Sequence, residues 1–257
     1  MENKNESDIN DNNNKEKEEE IIIEDKNYNK EEKPGVIPEE KKYKVEIINF
    51  PENELPTNVL TFKIIVIGDS GVGKTSITNN AVKNKFSENY HSTVGMEIFN
   101  LHLKINHKLI KLQIWDTCGQ EIYRALIANF YRNSSLAIIV YSIQNRNSFK
   151  DVNSWIQELR KNNSEDIKII LIGNKKDLEN NRQVSYEEGA KFLDDNKIIK
   201  FYETSAKTGE NIQNIFKDIG TILYQNYLKF KDEDSLTSSD TFKTSKKNMK
   251  QKKKHCC

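Results

Sequence analysis

Gly68-Asp69-Ser70-Gly71-Val72-Gly73-Lys74-Thr75-Ser76 has the form G-x-x-x-x-G-K-T. The apolar run Phe62-Lys63-Ile64-Ile65-Val66-Ile67 precedes it and reads as a buried strand, and a helical pattern from Thr75 to Lys85 follows. A strand that breaks at Gly68 and re-enters as a helix at Lys74 leaves a loop of unbonded backbone N–H groups. Those groups and the helix N-terminus make an anion site. The glycines let the backbone approach a polyphosphate without a Cβ in the way. Lys74 would reach the β- and γ-phosphates, and the Thr75 hydroxyl would ligate Mg²⁺. The stretch predicts a nucleoside triphosphate without naming the base.

Outward from the loop, helical and strand patterns alternate from about Leu60 to Lys229, which predicts a parallel-rich α/β sheet. Two strands, Glu97 to Ile105 and Leu109 to Trp115, flank Asn106-His107-Lys108 and predict an antiparallel edge hairpin. Further strands are read at Leu136–Tyr141, Ile167–Ile172 and Ile198–Thr204. A helix opening at Ser148 puts Val152, Trp155, Ile156 and Leu159 on one face. Ser185-Tyr186-Glu187-Glu188 is a capping box. The last helix, from about Asn211, places Ile212, Ile215, Phe216, Ile219, Ile222 and Leu223 on one stripe.

Asp116-Thr117-Cys118-Gly119-Gln120 follows directly on the strand Leu112-Gln113-Ile114-Trp115. An acid at the end of a strand beside a phosphate loop can hold Mg²⁺, often through water. Gly119 can present its N–H to a γ-phosphate, and Gln120 can orient a water for in-line attack. Asn174-Lys175-Lys176-Asp177 closes another strand. A carboxylate at Asp177 can accept from N1–H and the exocyclic amine of guanine. Adenine has no such amine, so it would leave the carboxylate unpaired. Thr204-Ser205-Ala206-Lys207, after the last strand, would offer a backbone N–H to guanine O6. Each motif alone is an ordinary strand-to-helix loop; the order, each after a strand, selects guanine.

The phosphate loop, Asp-x-x-Gly-Gln, Asn-Lys-x-Asp and Ser-Ala-Lys in this order resemble a Ras-superfamily small GTPase, and within it the Rab branch. Trp115 to Glu121, Phe130-Tyr131-Arg132, Val94 to Ile98, Glu203 to Gly209 and the final Cys256-Cys257 carry the Rab resemblance. It implies a P-loop small G domain with a six-stranded, mostly parallel sheet, one antiparallel edge hairpin and about five helices. It implies a GTP/GDP switch that hydrolyses GTP with Mg²⁺ and recruits effectors in intracellular vesicle trafficking. By position it implies that Thr93 closes on Mg²⁺ and γ-phosphate, that Phe86 packs on the guanine ring, and that Tyr90 lies over the phosphates. Ile98, Trp115 and Phe130 match a trio read by Rab effectors, although the residue types alone read as core. The resemblance also implies an exchange factor, a GTPase-activating protein, a GDP dissociation inhibitor and effectors as partners of a monomer. Cys118 stands where the family has Ala, and reads either as an inert buried thiol or as a redox-sensitive one.

Residues 1–57 are rich in Asn, Glu, Asp and Lys, and read as a disordered acidic arm. Two apolar clusters interrupt it, Ile21-Ile22-Ile23 and Tyr43 to Phe50; the second is either a short strand or a docking peptide. The arm is either a solvated tail or a regulatory element that touches the basic tail or a partner. Residues 58–229 form the G domain, and 230–257 a flexible basic tail. Asp232-Glu233-Asp234-Ser235 reads as the end of the helix. Three cysteines, two of them adjacent and terminal, build no disulfide framework and fit a reducing compartment. The Lys-rich end with Cys256-Cys257 is not a C-a-a-X box. The Rab resemblance implies geranylgeranylation of both cysteines, hence the cytoplasmic face of intracellular or plasma membranes with a cytosolic pool. A His255-Cys256-Cys257 metal site is disfavoured, since adjacent cysteines do not close a tetrahedron. Nucleic-acid binding is not expected, because the lysines have no aromatic platform beside them.

Overall fold

The structure, a computed structural model, describes residues 43–88, 93–120, 127–163, 166–196 and 198–251, without the side chains of 52, 194, 195 and 232–251. Its centre is the strand β2 (Leu60–Ile67), whose Ile64 to Ile67 are fully buried. A strand covered on both faces is apolar at every position rather than at alternate ones. The same holds for β5 (Leu136–Ser142), buried throughout. The other strands are β1 (Val45–Ile48), β3 (Met96–Ile105), β4 (Lys108–Thr117), β6 (Lys168–Asn174) and β7 (Lys200–Glu203). They form one sheet in the order β1-β3-β4-β2-β5-β6-β7. Pairing is antiparallel at β1/β3 and β3/β4 and parallel elsewhere.

Five α-helices flank the sheet among the described residues: α1 (Lys74–Lys83), α2 (Arg146–Lys150), α3 (Val152–Asn162), α4 (Tyr186–Asn196) and α5 (Ile212–Gln251). One core lies under α1 and α5, with Ile77, Ile215, Phe216 and Ile219 against Val66, Leu101, Leu103 and Ile114. The other holds Trp155, Ile156 and Leu159 of α3 against Ile65, Ile67, Ile139 and Leu171. The predicted capping box forms: Glu188 N donates to Ser185 Oγ at 3.2 Å, and Ser185 N to Glu188 Oε2 at 3.0 Å. The predicted helix at Ser148 begins two residues earlier. Asn145 Oδ1 accepts from the amides of Asn147 and Ser148, so Asn145 is the cap.

The sheet positions the site. From β2 the chain next enters the sheet on one side, at β3 and β4, and later on the other, at β5. The crevice beyond the carboxyl end of β2 is therefore a topological switch point, and the phosphate loop lies there.

Two expectations are corrected. The sheet has seven strands, not six, because residues 45–48 of the supposedly disordered arm pair with β3 from Val45↔Ile105 to Ile48↔His102. Val45 and Ile47 face the core, and alternation over only four residues gives a weak signal. The chain then crosses from β1 to β2 through residues 49–59, over the face that carries His102. Phe50 contacts the His102 ring at 6.3 Å, and His102 is buried. The second correction is α5, which runs to Gln251 rather than stopping near Lys229. No Gly or Pro occurs after Gly220 in that span, so nothing there breaks a helix. Residues 1–42 and 252–257, including Ile21–Ile23, Cys256 and Cys257, lie outside the described residues.

Because Val45 sits in the core, Val45→Asp should cost about 2 kcal/mol of unfolding free energy and leave nucleotide affinity unchanged. Chemical denaturation beside a nucleotide titration measures both. A loss under ~0.5 kcal/mol, the range of ordinary surface changes, would remove β1 from the cooperative unit.

Candidate nucleotide site

A cleft of about 310 Å³ is lined by Ser70, Gly71, Gly73, Lys74, Thr75, Ser76, Phe86, Thr93, Gly119 and Gln120. It shares Gly71, Gly73, Ser76 and Phe86 with a second cleft of about 380 Å³ that reaches Asn174, Lys175, Asp177, Ala206 and Lys207. Phosphate-loop and base-loop candidates thus line one continuous groove. Among the described residues, neither lining contains an arginine.

At the phosphate end Lys74 is buried, and its Nζ donates to the carbonyls of Gly68 and Asp69, 2.8 Å each. The ammonium folds back over the loop and holds its curvature. Burial pulls its pKa down to about 8, against the opposing pull of Asp116 and Asp69. Thr75 Oγ1 donates to Asp116 Oδ2 at 2.5 Å and lies 2.8 Å from Thr93 Oγ1. Asp116 is fully buried, and its Oδ1 has no hydrogen-bond partner among the described residues. Burial pushes this carboxyl up to about 6. Two hydroxyls and a carboxylate with an uncommitted oxygen make an all-oxygen donor set, which suits a hard divalent cation.

Gly119 packs so closely on Lys74 Nζ and the Asp69 carbonyl that any Cβ there would collide with both. Thr117 Oγ1 donates to the Val66 carbonyl at 2.7 Å and ties the end of β4 to β2. Cys118 is buried, and its amide donates to the Gly95 carbonyl at 3.0 Å. Gln120 is half-buried in the cleft lining. Tyr90 and residues 121–126 lie outside the described residues.

At the base end Asn174 joins three loops. Its Nδ2 donates to the Val72 carbonyl at 2.9 Å, and its Oδ1 accepts from Thr204 Oγ1 and the Ala206 amide, both at 3.1 Å. The Ala206 N–H therefore faces Asn174 in this structure. Ser205 Oγ donates to Asp177 Oδ1 at 2.6 Å, which fixes that carboxylate at the groove wall. Lys175 adopts a left-handed backbone conformation, φ 69°, and burial lowers its pKa.

Three supports escape the motif reading. Trp155 Nε1 donates to Asp69 Oδ1 at 2.8 Å and pins the phosphate loop to α3. Asn80 Nδ2 donates to the Ala206 carbonyl at 3.1 Å. Arg182 forks onto both carboxylate oxygens of Glu203 at 2.6 and 2.8 Å, and so links the segment after Asp177 to the strand before Ser205. Of the trio expected from residue type to be core, Trp115 and Phe130 pack against the second core and only Ile98 stands exposed. Ile98 is 43% exposed, and Trp115 and Phe130 are half-buried with rings 5.8 Å apart. Lys63 Nζ lies 3.9 Å over the Trp115 ring.

The family model described as Ras family matches residues 63–225, which span β2 to the first turns of α5. Ras-related protein Rab-11B of Dictyostelium discoideum is 43% identical over 169 residues, 66% of this chain and 76% of the relative. Ras-related protein Rab-2B of the same organism is 46% identical over 156 residues, 61% of this chain and 77% of the relative. Ras-related protein Rab-11C is 42% identical over 163 residues, 63% and 72% of the two chains. The chain belongs to the Ras family as a Rab-type small GTPase, a GTP hydrolase that binds GTP and GDP. Relatives from the Rab-11 and Rab-2 groups match it about equally, so identity does not pick a subgroup.

Asp177→Asn should weaken GTP binding by on the order of 100-fold or more, in the range of a lost buried polar pairing, and shift preference toward xanthosine triphosphate. Equilibrium competition between the two nucleotides reads this directly. Unchanged GTP affinity would mean that the base is read elsewhere.

Asp116 also fixes a pH dependence. Its carboxyl is raised in the folded chain, so burial favours the protonated form. Stability of the nucleotide- and metal-free protein should therefore fall as pH rises from about 4 to about 6, by on the order of 2 kcal/mol. Denaturation of Asp116→Asn across the same range should lack that component.

Proposed function

We propose that this GTPase is a membrane-anchored switch in vesicle traffic, with the groove from the phosphate loop to Asp177 as its nucleotide seat. The observation that carries the reading is this continuity: Lys74, Thr75, Thr93 and Gln120 line one end, with Asp116 bonded to Thr75, Asp177 lines the other, and Gly71, Gly73, Ser76 and Phe86 line both. Thr75, Thr93 and Asp116 would hold Mg²⁺, and the uncommitted Asp116 Oδ1 supports that assignment. When bound, the ion supplies charge neutralisation to the phosphates.

In hydrolysis, Gln120 orients the attacking water in line with the scissile bond. The amides of Asp69 to Ser76, together with Lys74 and the Gly119 N–H, take the charge that develops on the phosphates. GDP leaves, and the water's proton ends on inorganic phosphate. Phe86, 39% exposed at the groove wall, offers a face for guanine; the resemblance implies that Tyr90 would cover the phosphates. Asn174, Lys175, Ser205, Ala206 and Lys207 shape the base pocket around Asp177.

GTP orders the segments at Thr93 and at Gly119-Gln120, and hydrolysis releases both. Effectors read the exposed face of Ile98, Trp115 and Phe130. An exchange factor, a GTPase-activating protein and a GDP dissociation inhibitor complete the cycle of this monomer. Prenylation of Cys256 and Cys257 supplies two lipid chains, which anchor stably where one does not. The Lys-rich tail adds attraction to an anionic leaflet.

Since no arginine among the described residues lines the groove, intrinsic hydrolysis should be slow, ~10⁻⁴ s⁻¹ in single turnover, and slower still in Gln120→Leu. A rate already near the ~10 s⁻¹ of an assisted enzyme would overturn this account. Tight GTP binding with no turnover would instead make the chain a non-cycling scaffold.

A further inference from the structure

The phosphate loop is anchored to both cores of the domain, by different means. Val72 is buried in the core under α1 and α5, and its carbonyl accepts from the Asn174 amide. Three residues earlier the loop is tied to the other core. Trp155 is buried there among Ile65, Ile67, Ile139 and Leu171, and its indole N–H donates to Asp69 Oδ1 at 2.8 Å. Asp69 and Ser70 lie between two glycines of positive φ, Gly68 at 138° and Gly71 at 75°. Glycine gives the backbone freedom that other residues lack. At Gly71 a Cβ would meet nothing within 4 Å, so no neighbour steadies the chain there. The shape of this stretch depends on what holds Asp69.

The Asp69 peptide has two further supports. Its carbonyl accepts from Lys74 Nζ at 2.8 Å, and Gly119 packs so close that a Cβ there would fall 2.5 Å from the same carbonyl oxygen. Both are claimed by the nucleotide on the reading proposed above, on which this inference rests. An ammonium has three N–H donors. Two already serve the carbonyls of Gly68 and Asp69, so reaching both the β- and the γ-phosphate gives up at least one of them. The Gly119 N–H turns to the γ-phosphate in the same state.

Trp155 lines neither cleft, so the ligand does not draw on it. The core around it fixes the indole, and its partner is a carboxylate, which makes the bond charge-assisted. We infer that Trp155 is a positioning residue for GTP hydrolysis: through Asp69 it keeps the phosphate loop in its phosphate-binding shape while Lys74 and Gly119 transfer to the nucleotide. The role requires an acceptor oxygen at residue 69 rather than a charge.

The test measures single-turnover hydrolysis of GTP, with Mg²⁺, and the rate of GDP release in variants of the full chain. Trp155→Phe keeps an aromatic ring in the core and removes the N–H. It should slow hydrolysis about tenfold or more, the weight of one hydrogen bond to a charged group, and quicken GDP release by a similar factor. Asp69→Ala should do the same, and the two together should do no worse than either alone. Asp69→Asn still offers the indole an acceptor oxygen, and should recover most of what Asp69→Ala loses. A merely structural tryptophan would lower the denaturation midpoint and leave both rates of the folded, loaded protein unchanged, and that result would sink the inference. So would effects that add, or an Asp69→Asn as impaired as Asp69→Ala, which would make the charge the operative feature. If Trp155→Phe does not fold, the half-buried position 69 carries the test alone, and normal rates in Asp69→Ala would decide against the role. Lys74→Ala separates this inference from the reading beneath it. GDP release unchanged in Lys74→Ala would remove the nucleotide seat itself, whereas fast release there with normal rates in Trp155→Phe would remove the positioning role alone.

Discussion

The Asn174 side chain is where the nucleotide groove is held together. With one amide it reaches the Val72 carbonyl of the phosphate loop and the Thr204 hydroxyl and Ala206 amide of the base loop, and it ends the strand that leads to Asp177. Three loops, each following a different strand, meet at this one side chain. The bond to Val72 is possible because residue 73 is glycine. A Cβ at Gly73 would run into the Asn174 amide, and the backbone there is left-handed, φ 102°. The glycine read as freeing the loop for phosphate therefore also admits the side chain that ties this loop to the Thr204–Ala206 loop. Arg182 and Glu203 repeat the device one layer out, on the flanks of the same two loops.

This rigidity surrounds an electrostatic arrangement that is incomplete in the protein alone. Burial moves Lys74 and Asp116 toward neutrality, the lysine downward and the carboxyl upward. Both directions express one cause, the loss of water around a charge. A buried ammonium with only carbonyl partners and a carboxylate with one uncommitted oxygen are relieved by opposite ligands, an anion at the first and a cation at the second. A polyphosphate with its counter-ion supplies both at adjacent points. On the proposed reading, the groove's affinity for such a ligand would arise from the fold's having desolvated two charges that the chain itself does not fully pair.

What can be read from the sequence follows from the range of each interaction. The phosphate loop, the Asp177 motif, the edge hairpin and the Ser185 capping box are local, set by residues within a few positions of one another. The Trp155–Asp69 bond spans 86 positions and the Arg182–Glu203 fork 21. No local pattern encodes either. A tryptophan on an apolar helix face reads correctly as core, and its indole N–H adds a role that the periodicity does not carry. The run Asp232-Glu233-Asp234 misleads because Asp only lowers helix propensity and Glu is a good helix former, whereas Gly or Pro would end the helix. Ile98 misleads because a strand at the hairpin edge keeps one face in water despite its apolar residue types.

β1 shows how an arm of low hydrophobicity can be part of the fold. Four residues cannot hold a strand by themselves, but β3 presents a ready edge, and Val45 and Ile47 fall into a core already built by α5 and β3. Asn106, at the hairpin turn with φ 52°, accepts the Lys44 amide at its side chain and donates its own amide to the Lys44 carbonyl. The turn that closes the hairpin thereby also fixes the register of the added strand. The new sheet edge is short and carries the exposed pair Lys44 and Glu46, which discourages further strand addition. The composition boundary near Thr57 is consequently not the structural one. Residues 43–59 are a strand and a strap of the G domain, and the acidic character of the arm belongs to what precedes them.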